Sequence, residues 1–276
     1  MKTHLLSPTV IAFAFLSSNA SATVHCVDMN STNPVPPYTD WSTAAANIQD
    51  AINSSGVSDT VLVTNGIYQY GGASFAGSNR VYVPSGLGLT IQSLNGPAFT
   101  MIVGYQIPGT TNGNNAVRCV YLTDSSTLSG FTLTGGATQN SGNGGGIMSG
   151  PGCTVTNCVI TGNAAAGSGG GVFSGDLFNC YIIGNVASMG GGVAGEGTLD
   201  NCLLTGNTAA SGGGAYDTSL INCTLVGNTA TVSGGGVDGG WNYNTVIYYN
   251  SAPSGPDWYM SKLYYCCTAA NATGVV

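Results

Sequence analysis

Three acidic residues recur at nearly the same place in a repeated pattern in the second half of the sequence. Glu196 and Asp217 each lie five residues before an asparagine of the repeat, and Asp238 lies six residues before the next one. If the repeats stack, these carboxyl groups come close together. Retaining glycoside hydrolases hold two carboxyls about 5 to 5.5 Å apart, and carboxylates also bind calcium. Acids on a solvated face need no such role, because they arise readily without one.

The basic residues that a related chemistry would need lie elsewhere. A polysaccharide lyase is expected to place Arg or Lys beside its calcium, whereas Arg80 and Arg118 lie in the irregular first half and Lys262 lies beyond the regular repeats. The sequence therefore assigns no catalytic, cofactor-binding or metal-binding residue. The three acids, with calcium as their one candidate cofactor, remain the alternative to a non-catalytic protein.

Four cysteines repeat with the same period, each directly after an asparagine: Asn157-Cys158, Asn179-Cys180, Asn201-Cys202 and Asn222-Cys223. A catalytic thiolate needs a basic neighbour, and the only histidine after the amino-terminal leader is the distant His25. Zinc needs ligands that converge, and a disulfide needs Cβ atoms about 3.8 Å apart. Stacked repeats place their cysteines in a parallel row, so we predict a core column of free thiols. The pairing of the other cysteines is left open: Cys26, Cys119, Cys153, Cys266 and Cys267.

Glycine triplets follow the same period and begin at Gly144, Gly169, Gly190, Gly212 and Gly234. A phosphate-binding loop needs a following Lys-Ser/Thr pair or a helix that starts at the loop, and the sequence supplies neither. Glycine also permits positive φ and close approach of two chains. Five repetitions favour a turn between stacked layers.

The repeat period identifies the elements that carry these residues. The Asn-Cys pairs, continued by Asn244-Thr245, are separated by steps of 22, 22, 21 and 22 residues, and a Gly-Asn pair follows each of the first four after five residues. Apolar residues flank each Asn on both sides, so we interpret the Asn as a corner with left-handed backbone and the flanking residues as core. Each unit then forms three short strands. Stacking such coils about 4.8 Å apart makes an all-β, right-handed parallel β-helix, with asparagine side chains hydrogen-bonded along the bends.

Earlier segments fit the same architecture less regularly. We predict irregular coils for residues 59–136. Within them, "LSGFTLTGG" (128–136) fits the register of the repeats, with Gly130 at the position of the asparagine and Phe131 at that of the cysteine. Residues 137–252 are the regular repeats, and 253–276 form a carboxyl-terminal segment or incomplete coil. In 23–58 we predict a helix that caps the amino-terminal end, since bare strand edges invite aggregation. Ser42 or Thr43 starts this helix and Gly56 ends it. Its core-facing side is formed by Ile48, Ala51 and Ile52.

Composition and the amino terminus predict the location of the protein. Residues 1–22 resemble a secretory signal, with Lys2, an apolar run and the small-residue site Ala20-Ser21-Ala22. We therefore expect an extracellular or cell-surface protein. No later apolar run is long enough to cross a bilayer. The sequence has eleven acidic residues and only four Lys or Arg, so its charge argues against nucleic acid as a partner.

The repeats resemble those of polymorphic outer-membrane proteins and autotransporter passenger domains. Gly-Gly-Gly-[Val/Ile/Ala] alternates with [Ile/Leu]-x-x-Asn between Gly144 and Asn250, where that family has Gly-Gly-Ala-[Ile/Leu/Val] and Phe-x-x-Asn. The capping helix followed by "DTVLVTNGIY" is similar to the start of secreted pectate-lyase-like β-helix proteins. These resemblances imply a surface protein with an adhesive or carbohydrate-directed role.

Three classes of function are compatible with this reading. The first is a non-catalytic secreted or cell-surface β-helix that presents a repetitive face for adhesion or polysaccharide binding. The second is a polysaccharide lyase or glycoside hydrolase that uses the three acids. The third is an ice-binding or structural solenoid, which the lack of a regular outward threonine array disfavours. The sequence favours the first, because no complete catalytic set is visible.

Overall fold

The computed structural model describes residues 21–269, which form a right-handed parallel β-helix. The predicted signal segment lies outside these residues except for Ser21 and Ala22. Three sheets run along the solenoid, and their strands are parallel except where Ala73–Ser74 pairs antiparallel with Ser78–Tyr82. Within residues 21–269 no helix is long and apolar enough to cross a membrane.

Sheet A has ten strands, in order Val24–Val27, Thr60–Val63, Thr90–Ser93, Thr127–Ser129, Thr154–Thr156, Asp176–Phe178, Thr198–Asp200, Ser219–Ile221, Trp241–Tyr243 and Lys262–Tyr264. Sheet B has nine, namely Gly66–Tyr68, Thr100–Val103, Thr132–Thr134, Val159–Thr161, Tyr181–Ile183, Leu203–Thr205, Thr224–Val226, Val246–Tyr248 and Cys267–Thr268. Sheet C also has nine, namely Ala73–Ser74, Ser78–Tyr82, Val117–Leu122, Ile147–Ser149, Val172–Phe173, Val193–Ala194, Ala215–Tyr216, Val237–Asp238 and Trp258–Tyr259. A separate pair joins Thr208–Ser211 to Thr229–Ser233.

The corner between sheets A and B is the predicted left-handed asparagine. Asn157, Asn179, Asn201, Asn222 and Asn244 have φ of 53°, 54°, 54°, 53° and 49°. One residue in this conformation turns the chain, so the apolar residues on both sides and the following cysteine all face inward. Gly130 and Phe131 occupy the same two positions one coil earlier, as predicted, and Phe131 is fully buried.

A second set of asparagines forms a ladder inside the solenoid. Asn163, Asn185, Asn207, Asn228 and Asn250 follow the next bend and are buried. The Oδ1 of Asn185 accepts from the backbone N and Nδ2 of Asn163, at 3.0 and 3.1 Å, and its own Nδ2 donates to the Ile160 carbonyl at 2.9 Å. Every later asparagine repeats this pattern. The ladder satisfies polar backbone groups that the turn would otherwise leave buried without partners.

The glycine triplets bring neighbouring coils into contact, as the turn interpretation predicts. The first glycine of each has positive φ, and a Cβ on the third, Gly192, would lie 2.5 Å from the Gly214 carbonyl oxygen. No side chain fits in that gap. Glycine is required here for close approach and not for ligand binding.

The amino-terminal cap differs from the prediction in where its helix starts. Ser42 and Thr43 belong to a short 3-10 turn, Trp41–Thr43, capped by Asp40, after which Ala44 is extended. The α-helix is Ile48–Asn53, and its N-cap is Asn47, whose side chain accepts from the backbone N of Asp50. Starting the helix at Ser42 or Thr43 was wrong because that turn ends before a helix forms. Gly56 does not end the helix either, since Ser54 is its C-cap.

The helix does supply the predicted apolar face. Ile48, Ala51 and Ile52 are buried against the first strands of sheets A and C. At the other end of the solenoid, the strands Trp258–Tyr259, Lys262–Tyr264 and Cys267–Thr268 extend all three sheets.

Candidate functional site

The outer face of sheet C carries a column of aromatic side chains. Because a strand alternates, one residue of each rung points into the core and the next points out. The register aligns the outward residues of successive coils. They are Tyr82, Tyr121, Met148, Phe173, Ala194, Tyr216, Asp238 and Tyr259. Most are half-buried, so their rings form part of the protein surface.

Near the amino-terminal end, an additional ring packs against the aromatic column. Phe75 stacks on Tyr82 with ring centroids 4.6 Å apart, and both meet the Tyr121 ring edge to face, at 5.3 and 5.8 Å. The Arg118 guanidinium lies 5.5 Å from the Tyr121 ring. These rings form an apolar cluster in which the Tyr121 ring is nearly perpendicular to the other two.

Two of the sequence-predicted acids meet where this column approaches the carboxyl-terminal end. Asp238 is itself a member of the column, and Asp217 follows directly after Tyr216, the residue paired with Asp238. The backbone N of Asp217 donates to the Asp238 carbonyl at 2.8 Å. Asp217 has a φ of 50° and is exposed, so one carboxyl is in solvent while the other is buried.

The environment of Asp238 favours its protonated form. Only 8% of the residue is exposed, and its Oδ2 accepts from Ser233 Oγ at 2.6 Å. Burial, together with the negative charge of Asp217, raises the pKa of Asp238 above its ordinary value, although the Ser233 hydrogen bond acts in the opposite direction. A buried carboxyl with a raised pKa beside an exposed carboxyl is the arrangement found where one acid donates a proton and the other acts as base or nucleophile.

Glu196 does not stack in register on Asp217, although both lie five residues before a repeat asparagine in the sequence. Ala194 pairs with Tyr216, and Thr198 pairs with Ser219. Three residues separate Ala194 from Thr198 in the coil of Glu196, but only two separate Tyr216 from Ser219 in the next coil. The extra residue shifts the register. Glu196 lines a surface depression of about 290 Å³ together with Ser174 and Asp176, and neither Asp217 nor Asp238 lines it.

Calcium was the one candidate cofactor of the three acids. Within residues 21–269 no group of three or more His, Cys, Asp or Glu side chains is arranged to hold a metal ion. Asp217 and Asp238 are therefore a pair, and Asp176 is engaged by the backbone N of Thr198 at 2.9 Å.

The arginines serve the fold. Arg118 is buried and donates to the Gly144 and Asn143 carbonyls and to Asn79 Oδ1, at 2.7, 2.8 and 2.5 Å. Burial lowers the pKa of Arg118 to about 10. Arg80 donates to the Val103 and Gly71 carbonyls, at 2.9 and 2.7 Å.

Lys262 also lies away from the acids. It is on the outer face of sheet A, with its ammonium 4.0 Å from the Trp241 ring centroid. In the described part of the chain, no Lys or Arg forms an ion pair with Glu196, Asp217 or Asp238.

The cysteine column is a feature of the core, as predicted. Cys158, Cys180, Cys202 and Cys223 are buried, and all nine cysteines of the described residues are free thiols. The thiols donate to backbone carbonyls; Cys202, for example, lies 3.7 Å from the Leu177 oxygen. The pairings left open for the other five are therefore absent from this structure.

The aromatic column was missed at the sequence level. Its members stand one residue after the apolar residue that follows each glycine triplet, as in Gly-Gly-Gly-Val-Phe (Phe173) and Gly-Gly-Gly-Ala-Tyr (Tyr216). Because Met148, Ala194 and Asp238 occupy the same position in other coils, no residue type repeats there. The sequence therefore marks the column only by its position after each glycine triplet and not by a recurring residue type.

Comparison with known proteins supports the fold. No family model and no curated protein matches the chain. Among solved structures, pectate lyase Pel9A has a TM-score of 0.58 at 11% identity, over 92% of this chain and 78% of its own. Pectin methylesterase PemA from Erwinia chrysanthemi has a TM-score of 0.57 at 12% identity, over 93% and 94%. A pectin methylesterase in complex with a hexasaccharide has a TM-score of 0.54 at 11% identity, over 93% and 94%.

These likenesses support the right-handed parallel β-helix fold, which the chain shares with pectate lyase and pectin methylesterase structures. At this identity the likeness carries no catalytic residue across. The resemblance to polymorphic outer-membrane and autotransporter repeats is not shown by them, and nothing in the comparisons supports the adhesive role that the sequence favoured.

Proposed function

We propose that the protein is a polysaccharide-active enzyme that holds a glycan chain along the outer face of sheet C and hydrolyses it at Asp217 and Asp238. The observation that carries the proposal is the continuity of the two features. The aromatic column runs along one face and includes, near one end, a carboxyl whose pKa is raised and which lies beside an exposed carboxyl. The proposal follows the alternative from the sequence, an enzyme that uses the acids, in place of the non-catalytic protein that the sequence favoured.

The spacing of the column suits an extended glycan. Successive rungs of a parallel sheet lie about 4.8 Å apart, which is comparable with the length of one sugar unit. Phe173 and Tyr216 flank Ala194, whose small side chain leaves room between the two rings. A sugar ring can therefore stack on either aromatic residue while its hydroxyl groups remain in solvent.

The two carboxyls have complementary roles. Asp238, whose raised pKa favours its protonated form, donates a proton to the glycosidic oxygen as the bond to the anomeric carbon breaks. The Asp217 carboxylate attacks that carbon and forms a glycosyl ester, which water then hydrolyses with Asp238 acting as base. One rung separates the two residues, and retaining hydrolases hold their carboxyls about 5 to 5.5 Å apart.

The distribution of charge favours hydrolysis of a neutral polysaccharide over elimination from a uronate. A lyase must neutralise the substrate carboxylate next to the proton that it removes, and no Arg or Lys among residues 21–269 pairs with these acids. The whole chain has a formal net charge of −7. An anionic glycan would approach against that charge.

Incubation with a panel of neutral and acidic polysaccharides tests the proposal. We expect new reducing ends from a neutral glycan, and their loss in Asp238→Asn and Asp217→Asn. Asp200→Asn, on the outer face of sheet A, is the matched control and should retain activity. Unsaturated products absorbing in the ultraviolet would identify a lyase instead, and activity that survives both substitutions would remove the acid pair from the mechanism.

Binding provides an independent readout. Tyr216→Ala should weaken retention of the glycan in affinity electrophoresis about tenfold, because stacking of one aromatic ring is lost. Tyr181→Ala removes a more exposed ring, from sheet B, and should leave retention unchanged. Glycan binding without any product would identify a non-catalytic binding protein, the function that the sequence favoured.

A further inference from the structure

Asp59 forms a buried charged site at the amino-terminal end of the solenoid. Its Oδ1 accepts from the backbone N of Thr23 at 2.7 Å, and its Oδ2 accepts from the backbone N of Gly56 at 2.6 Å. His25 Nε2 lies 2.9 Å from Oδ2, which is the only ion pair among residues 21–269. Burial alone would raise the pKa of Asp59, but these hydrogen bonds outweigh it and the pKa is lowered.

His25 lies between two acceptor oxygens. Nδ1 lies 2.6 Å from the Pro37 carbonyl oxygen, which can only accept, and Nε2 faces an ionised carboxylate, which can also only accept. Both ring nitrogens therefore lie at hydrogen-bonding distance from acceptor oxygens. His25 is 2% exposed, so this pair is held away from water.

The third partner, Thr23, is the residue that follows the small-residue site Ala20-Ser21-Ala22. We infer that Asp59 is the binding site for a new α-ammonium group, created at Thr23 when a signal peptidase removes residues 1–22. In that hydrolysis the bond between the Ala22 carbonyl carbon and the Thr23 nitrogen breaks. The hydroxyl of water goes to Ala22 and its proton to Thr23, whose amine then takes up a further proton from solvent.

Cleavage changes the strength of one contact without moving its atoms. In the uncleaved chain a neutral amide N–H faces the carboxylate. In the cleaved chain a full positive charge occupies the same position, so the contact becomes an ion pair between two unit charges. Thr23 also accepts, through its carbonyl, from the backbone N of Thr60 at 2.8 Å. Removal of the leader therefore fastens the first strand of sheet A to the second.

Stability of the two forms of the chain tests this inference. A chain beginning at Thr23 with a free amine is compared with one beginning at Ser21. At pH 6.5 the Thr23 chain should melt about 2 to 4 °C higher. The gap should close in Asp59→Asn and on N-terminal acetylation. Equal melting temperatures at pH 6.5, or a gap that persists in Asp59→Asn, would overturn the inference.

The pH dependence of the same gap gives a second readout that does not need the Asp59 variant to fold. An ordinary α-amino group has a pKa of about 7.7 to 8.0, and the Asp59 carboxylate should raise it. The added stability is then complete below that range and is lost as pH rises through the raised value. Titration of the ¹³C-methylated amine by NMR measures that value. The groups facing this amine are Asp59 and, beyond it, His25; an ordinary amine pKa would contradict the assignment.

The exported protein provides the last check. Expression of the full chain in a secreting host and N-terminal sequencing should identify Thr23 as the first residue. A different first residue would place the charge elsewhere and overturn the inference, whatever the outcome of the polysaccharide assays.

Discussion

The carboxylate of Asp257 accepts two hydrogen bonds from Asn250, with Oδ1 at 3.0 Å from the backbone N and at 3.1 Å from Nδ2. Asn228 donates the same two bonds to Asn250, so Asp257 stands where a further asparagine of the ladder is expected. It reaches that point from the third-glycine position of the last coil, because Val237 N donates to the Asp257 carbonyl as Ala215 N does to that of Gly236. The buried ladder is therefore ended by a side chain of the protein itself.

Removal of this acceptor should destabilise the carboxyl-terminal coils. Asp257→Ala leaves the buried backbone N of Asn250 without a partner, whereas its Nδ2 keeps the Leu225 and Tyr248 carbonyls as acceptors. We expect a loss of about 1 to 3 kcal/mol in the free energy of unfolding. Urea titration measures the loss, and hydrogen exchange localises it. Asp257→Asn keeps an acceptor oxygen and should lose less; equal losses in the two variants would contradict the role of Asp257 as an acceptor.

Two asparagines six residues apart should respond in opposite ways to substitution. Asn207 is fully buried, accepts from the backbone N and Nδ2 of Asn185, and donates to Ile182 and Asn228. Asn207→Ala should cost at least about 3 kcal/mol, since several buried partners lose their hydrogen bonds.

The exposed corner at Asn201 is the matched control. Its φ of 54° is accessible to glycine, and its Nδ2 bond to Asn179 Oδ1 lies at the surface. Asn201→Gly should therefore change the unfolding free energy by less than about 1 kcal/mol, whereas Asn201→Val should be strongly destabilising because a β-branched residue avoids this φ. Similar costs for Asn207→Ala and Asn201→Gly in urea unfolding would refute the distinction.

The cysteine column should be chemically inert in the folded protein. Burial raises the pKa of Cys158 to about 11 and that of Cys119 to about 12, and hydrogen bonding to Cys202 raises the pKa of Cys223. At pH 8 these thiols are protonated and shielded. Iodoacetamide followed by mass spectrometry should label the exposed Cys267 rapidly and the seven buried cysteines only after unfolding. Labelling of Cys158 in the native protein would contradict this.

The acid pair should leave a signature in the pH dependence of stability. Burial and Asp217 raise the pKa of Asp238, so the folded state holds this proton to a higher pH than the unfolded state does. Stability from the protonated form is complete below the unfolded value of about 3.9 and is lost as pH rises through the folded value. Asp238→Asn should therefore gain stability relative to the original chain between pH 3 and pH 7, as measured by urea unfolding. A difference that does not change with pH would place Asp238 in an ordinary solvated environment.

The sequence by itself determined the coil and its corners. Left-handed backbone at Asn201, burial of Cys202 and close approach at Gly192 are demands of the local chain, and each recurs with the same period. A local preference repeated five times outweighs chance. The helix start was harder to predict, because the hydroxyls of Ser42 and Thr43 cap a helix as readily as the Asn47 amide that the structure uses.

Only the tertiary structure decided which side chains meet between coils. One extra residue in the turn after Ala194 shifts Glu196 out of register with Asp217. The pairing of Tyr216 with Asp238 places the other two acids on adjacent coils. Asp257 meets Asn250 because it replaces a glycine at the place where coils approach most closely. Such contacts depend on the number of residues in each turn and on the stacking of whole coils. They follow from the closed geometry of the solenoid, which a periodic sequence pattern does not contain.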